Sequence, residues 1–414
     1  MDYAKAVREH HEAAENVLSL MDGSPGPETL KDCKEILLKA TSYMLDNEAD
    51  TTHIFGYGPE TGDQTFREDL AHFLTREYGD TVNSSNLMVT AGATQALHMV
   101  ASVLFNKDSV VFIEDPTYFA GCRVLKDDLQ MKIVPVPCDA DGMNTDVLEQ
   151  VLSQYCPSDE KRSSARPFWG MVYTIPVYNN PKGNCYSASR CRKLVELARK
   201  YDVLVVAEDI YNLIHFGESS PPARLLSYDK PSDQDYRGNV VSIATFSKIL
   251  APGLRVGWVE APQRILSLLC GSYMLWSGGC LNHYASKLAG ATLTLGLLAK
   301  HLCHIRQVYK KRNDAACAVL RDSLPKGATF LKPQGGFFVW IEFPEGTDTF
   351  RMMQWMINKY QISFMPGFCA STLENYGNCA RISICKHEES VLVDAVQKVC
   401  KGACEFMQLS HPSL

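Results

Sequence analysis

The chain has 414 residues, 46 % hydrophobic and 21 % charged, with a formal net charge of -6. That length exceeds one ordinary core and suits a large and a small unit, and the composition is globular, not disordered. An acidic balance leaves no electrostatic footprint for nucleic acid or for an acidic membrane surface.

Residues Met1–Glu12 lack an apolar targeting core and carry too many acids for a transit peptide, so they read as a polar helix. Short apolar runs then predict strands at Leu87–Thr90, Ser109–Ile113, Met131–Val136, Trp169–Tyr173, Val203–Ala207 and Val240–Ile243. Helical patterns such as Ser187–Tyr201 lie between several of them. This alternation predicts an α/β unit with a mainly parallel sheet covered by helices on both faces. The uncharged stretch Ile265–Ser286 holds Gly271, Ser272, Ser277, Gly278, Gly279, Asn282 and His283. It is too polar to span a membrane and reads as one buried or interface helix. Near residue 300 the character changes: a long amphipathic helix at His301–Leu324, strands at Gly335–Ile341, Ile362–Phe364 and Ala380–Ile384, and a last helix from about Glu388. That is a smaller α+β unit. The expected division is 46–299 for the large unit and 300–414 for the small one, with 1–45 joining the latter. The final Ser413-Leu414 follows a proline, which argues against peroxisomal import. Fifteen cysteines, an odd number, show no CxxC pair and no cysteine–histidine cluster at zinc spacing. Reduced thiols in the cytoplasm are expected, and no metal.

In an open α/β sheet, ligands collect at the carboxyl ends of the strands. After Thr90, the turn Ala91-Gly92-Ala93-Thr94 opens a helix whose free N–H groups form an anion site. After Ile113 comes Tyr118, able to stack on a flat ring. After Tyr173 the loop carries Asn179-Asn180-Pro181-Lys182-Gly183, with amide donors. After Ala207 stand Glu208, Asp209 and Tyr211. After Ile243 come Thr245, Ser247, Lys248 and Arg255. A partly dehydrated lysine has a lowered pKa and becomes a nucleophile able to form a Schiff base. Two hydroxyls and an arginine beside it would hold a phosphate, and together they suit pyridoxal phosphate. Taken singly, each residue has an ordinary structural explanation; five strand ends in succession do not.

Together with Tyr57-Gly58-Pro59-Glu60-Thr61-Gly62 and Asn378-Cys379-Ala380-Arg381-Ile382-Ser383, these segments carry a resemblance over nearly the whole chain. It resembles the fold-type-I pyridoxal-phosphate enzymes of the class I/II aminotransferases, in the kynurenine/2-aminoadipate branch. The resemblance implies that Lys248 carries pyridoxal 5'-phosphate as a Schiff base and shuttles the proton. Gly92, Ala93, Thr94, Thr245, Ser247 and Arg255 would hold the phosphate, Tyr118 would stack on the ring, and Asn180 and Tyr211 would bond its O3′. Arg381 would grip the substrate carboxylate, Gly23 would let the N-terminal segment cover it, and Tyr57 would reach the phosphate of a second subunit in a homodimer.

One departure stands out. The family's aspartate for the ring nitrogen falls three residues before the tyrosine, where this chain has Glu208; the aspartate is Asp209. Adjacent strand residues face opposite ways, so only one can reach the ring. Spacing favours Glu208, with Asp209 as the alternative. Lys182 stands where the family commonly has threonine. The implied activity moves the amino group of an L-amino acid, aromatic or long, to a 2-oxo acid such as 2-oxoglutarate. A pyridoxal-phosphate lyase or decarboxylase on the same scaffold is the alternative. Tyr3, Phe55, Leu275, Trp276 and Phe364 are candidates for a side-chain pocket, and core packing explains them equally well.

Overall fold

The computed structural model describes residues 17–47, 51–157, 164 and 166–410. The N-terminal polar helix with Tyr3, and the last four residues, lie outside them. In chain order the strands begin with β1 (Leu18–Ser19), β2 (Leu87–Thr90), β3 (Val110–Asp115), β4 (Lys132–Asp139), β5 (Gly142–Met143) and β6 (Gly170–Thr174). They continue with β7 (Leu204–Glu208), β8 (Val240–Thr245) and β9 (Gly257–Glu260). Eight of these form one sheet in the order β2-β9-β8-β7-β6-β3-β4-β5. The run from β8 to β4 is parallel, whereas β9 lies antiparallel to both its neighbours and β5 antiparallel to β4.

Strand β7 explains why the sheet is buried on both sides. Leu204 and Val206 pack into one apolar cluster with Leu97, Val100 and Leu104 of the helix Ala93–Leu104. Val205 and Ala207 pack into another with Leu194 and Ala198 of the helix Ala188–Tyr201. The pleat sends alternate residues to opposite faces, and near-continuous Val/Ile/Leu runs are what a doubly covered sheet requires. The same alternation governs the two acids that follow.

Beyond residue 297 a 27-residue helix, Leu297–Ser323, leads to a second layer. It holds β10 (Thr329–Phe330), β11 (Phe338–Glu342), β12 (Ile362–Ser363), β13 (Met365–Pro366) and β14 (Cys379–Ser383). The order β10-β11-β14-β13 is antiparallel throughout. Strand β12 instead pairs in parallel with β1, which ties the N-terminal segment to this layer. The final helix, Glu389–Ser410, packs on the long one.

Three sequence expectations change. The stretch Ile265–Ser286 is not one helix: Gln263–Cys270 and Tyr273–Gly278 are separate, and a third helix starts at His283. The break at Gly279 is enforced, since its φ is 68° and a Cβ there would lie 2.0 Å from the Gly58 carbonyl oxygen. The strand expected at Ile362–Phe364 ends at Ser363, where it pairs with β1, and a separate short strand, Met365–Pro366, pairs with β14. Strand β9 was not expected, being four residues that include a glycine and a glutamate. Among the described residues no single helix is long and apolar enough to cross a membrane.

Candidate active site

The carboxyl ends of β2, β3, β6, β7 and β8 converge on Lys248. Its Nζ donates to the Gly23 carbonyl at 2.6 Å and stands over the Phe337 ring. Burial pulls the ammonium pKa below its ordinary value, and the nearby Arg381 and Arg255 pull it the same way, against Cys385 and Glu208. A lysine so placed reaches its neutral, nucleophilic form at lower pH than a surface lysine.

The anion cradle lies at the start of the helix Ala93–Leu104, whose first turn has no side-chain cap. Gly92 has φ 90°, and a Cβ there would lie 2.9 Å from an Arg255 Nη2. Only glycine lets the backbone come so close to that guanidinium. Arg255 Nη1 donates to Ser247 Oγ at 3.3 Å, and Thr245 Oγ1 donates to the same oxygen at 2.9 Å. Gln95 Nε2, four residues into the turn, is buried without a partner. Free helix N–H groups, an arginine, two hydroxyls and an orphaned amide donor form a set that fits a phosphate.

The two acids after β7 are separated as the pleat demands. Glu208 takes the Tyr173 hydroxyl on Oε2 and interacts with the Lys248 charge. Burial raises its pKa to about 7, although the Tyr173 bond and Lys248 oppose that rise. Asp209 faces the other way, accepting from Ser242 Oγ at 2.6 Å and Asn212 Nδ2 at 3.0 Å. The alternative contact for Asp209 is therefore not the one the geometry offers. Tyr118 and Tyr211 both lie close enough to Glu208 for its charge to raise them, after burial. Tyr211 is further held edge-on by Phe337 and Phe338.

On the substrate side, Arg381 in β14 is 3 % exposed. Its Nη1 donates to Asn180 Oδ1 at 2.7 Å, Nη2 donates to the Met21 carbonyl, and the guanidinium lies 4.0 Å above the Phe338 ring. Nε has no partner. No carboxylate pairs with it among the described residues, and burial lowers its pKa to about 10. Gly23 belongs here too: a Cβ would lie 2.5 Å from the Phe338 ring, so a bulkier residue could not carry the strap Met21–Ser24 across the site.

Several expected residues stand apart. Tyr57 is 88 % exposed and Thr94 is exposed on its helix. Leu275 and Phe364 are core side chains, while Phe55 and Trp276 lie on the surface; within one chain these four do not wall a pocket. Conversely, sequence reasoning passed over Tyr173, Cys385 and Phe338. Tyr173 had a signal, being an aromatic at the same strand end that carries the loop to Asn180.

A family model for aminotransferase class I and II matches residues 15–399. An aromatic-amino-acid aminotransferase 1 of Thermococcus litoralis is 31 % identical over 95 % of this chain and 89 % of its own. The mitochondrial kynurenine/alpha-aminoadipate aminotransferase of Bos taurus is 26 % identical over 86 % of this chain and 84 % of its own. A Pyrococcus horikoshii kynurenine aminotransferase, solved in complex with PMP, superposes with a TM-score of 0.83 at 28 % identity, covering 98 % of this chain and 95 % of that one. The chain belongs to the class I and II aminotransferases. It is a pyridoxal-phosphate-dependent transaminase of fold type I.

Proposed function

We propose that this transaminase takes the amino group of an L-amino acid with an aromatic or long side chain and delivers it to a 2-oxo acid such as 2-oxoglutarate. The observation that carries the reading is Arg381: a buried guanidinium without a carboxylate partner among the described residues, close enough to Lys248 for its charge to lower the lysine pKa. An α-carboxylate supplies the missing charge in a bidentate fork. The names of the relatives support the choice of side chain.

When bound, pyridoxal 5'-phosphate supplies the carbonyl that accepts the amino group and a ring that draws electrons from Cα. The chain supplies the rest. Lys248 Nζ would hold the carbonyl of the cofactor and serve as the base for the substrate Cα proton, a role its lowered pKa favours. Glu208, with Oε1 not taken by Tyr173, would keep a proton at the ring nitrogen. Tyr118 would stack on the ring, and Asn180 and Tyr211 would hold its O3′. Gly92, Ala93, Thr245, Ser247 and Arg255 would hold the phosphate, with Thr94 offering its free backbone N–H from the first helical turn while its side chain stays exposed. The strap with Gly23 covers the carboxylate and excludes water.

The reading includes a homodimer. Phe55 stacks on Tyr284 at 6.0 Å and Tyr273 meets Trp276 at 5.8 Å, in two exposed segments that touch where Gly58 bonds Cys280. An exposed aromatic patch of this kind suits a second copy, to which Tyr57 would lend its hydroxyl. None of the fifteen cysteines is disulfide-bonded, in keeping with a cytoplasmic enzyme. The division at 46–299 and 300–414, with 1–45 joining the small unit, is part of the same proposal. A panel of amino acids against 2-oxoglutarate and pyruvate, with products identified by mass, tests it. Stoichiometric 2-oxo acid and new amino acid are expected; elimination or decarboxylation products without amine transfer would sink it in favour of the lyase alternative.

A further inference from the structure

We infer that Tyr173 is a positioning residue: its hydroxyl holds the carboxylate of Glu208 and keeps the negative charge aimed at the ring nitrogen of the cofactor. This rests on the reading that Glu208 is the ring-nitrogen partner.

Sheet register brings the two side chains together. Tyr173 in β6 and Glu208 in β7 lie on neighbouring parallel strands, with Tyr173 opposite Val206. Val206 and Glu208 are two residues apart, so both point to the face on which Tyr173 packs. The phenol therefore meets the carboxylate end-on, donating to Oε2. Space for it is reserved on the far side. A Cβ on Gly121 would lie 2.4 Å from the Tyr173 hydroxyl oxygen and 3.3 Å from the Tyr118 ring. Gly121 has no need of glycine for its backbone, since its φ is not in the left-handed region; the need is room.

The longer side chain makes such a brace necessary. Glutamate has one more rotatable bond than aspartate, and a freely rotating carboxylate spends less of its time at one donor. The other groups facing Glu208 do not fix it. Lys248, from the turn after β8, supplies charge; Glu114 from β3 and Asp209, just past the end of β7, repel it; Tyr118 and Tyr211 stand near. Glu114 is already engaged by Thr174, Tyr186, Asn179 and the Ile175 N–H, and so has no donor to share. The Tyr173 hydrogen bond also favours the ionised carboxylate against the pull of burial. Removing it makes the carboxylate more basic, and the shared proton moves from the ring nitrogen to Glu208.

The test uses holoenzyme carrying cofactor labelled with nitrogen-15 in the ring, whose NMR shift reports protonation of that nitrogen, alongside kcat and KM. In Tyr173→Phe the signal is expected to move toward the neutral-pyridine position. kcat is expected to fall about three- to tenfold, the fold-change of one hydrogen bond, with KM for the amino acid unchanged. Gly121→Ala, which displaces the phenol without removing it, should do the same. In Glu208→Asp, where the shorter side chain cannot reach the phenol, a further Tyr173→Phe should change nothing. A protonated signal with wild-type kcat in Tyr173→Phe overturns the inference, as does an equal loss in the Glu208→Asp background. If Glu208→Gln itself leaves the ring nitrogen protonated, the reading of Glu208 fails instead, and the two failures are told apart.

Discussion

Two buried arginines in this molecule have the same exposure, 3 %, and opposite surroundings. Arg224 is locked between Glu260 and Asp80, with Nη2 bonded to them at 3.2 and 3.0 Å, and it lies over the Tyr78 ring. Burial pulls its pKa down, but Glu260 reverses that and leaves it raised. Arg381 has an amide, a carbonyl and a phenyl ring, but no anion among the described residues, and its pKa falls. A buried cation with its counter-ion built in belongs to the scaffold. One whose counter-ion is missing stores a desolvation cost that a ligand anion can relieve. The contrast assigns work to two places in the molecule: Arg224 has its counter-ions built in, and the side that holds Arg381 and Lys248 is left unsatisfied.

The largest effect should come from the residue on which the unsatisfied side centres. Lys248→Ala removes both the nucleophile and the proton carrier, so kcat should fall by at least about 10²–10⁴-fold, the range of general acid–base catalysis alone. The purified protein should also lose the visible absorbance of a lysine-linked cofactor. Retained colour that borohydride cannot fix to the chain would remove the assignment.

The arginines break the comparison directly. Arg224→Met strands the carboxylate of Glu260, which is 4 % exposed, and should cost about 3–5 kcal/mol of stability with little change in KM. Arg381→Met strands no carboxylate. Its denaturation midpoint should hold, while KM for the amino acid rises about 10–100-fold, the loss of charge-assisted hydrogen bonds. Denaturant titration and steady-state kinetics on both variants check this. Equal destabilisation by the two would show that Arg381 is structural.

The residues that sequence alone made legible share one trait: each sits within a few positions of a strand's carboxyl end. Lys248, Glu208, Tyr118 and Asn180 stand out as candidates without tertiary information; the pleat says only that Glu208 and Asp209 face opposite ways, and the spacing to Tyr211 in the resemblance favours Glu208. What escaped depends on pairing between distant segments. Tyr173 meets Glu208 because β6 and β7 are neighbours in a given register, and 35 positions of chain say nothing of that. Strand β9 escaped for another reason: four residues with a glycine and an acid give too short a pattern to read. Phe55 and Trp276 misled because an exposed aromatic and a pocket aromatic look alike in a sequence, and only burial tells them apart.

The smallest effect concerns acidity, and it sharpens the contrast without changing a contact. Three carboxyls near the sheet's carboxyl edge are held high by burial: Glu114 and Glu208 at about 7, Asp209 at about 6. An acid whose pKa is raised on folding binds its proton more tightly in the native state. Its contribution is present in full below the unfolded value and is lost as pH rises through the folded one. The apoprotein should therefore lose stability between about pH 4.5 and pH 7 on account of these groups, a melting temperature lower by a few degrees at pH 8 than at pH 5.5. Glu208→Gln should flatten part of that slope, since glutamine carries no proton equilibrium. In the holoenzyme the wild-type slope should flatten as well, because the protonated ring nitrogen supplies Glu208 with the counter-charge that Arg224 finds in Glu260. Thermal melts of apo and holo forms across this range decide it: a slope that cofactor leaves untouched would mean that Glu208 does not meet the ring.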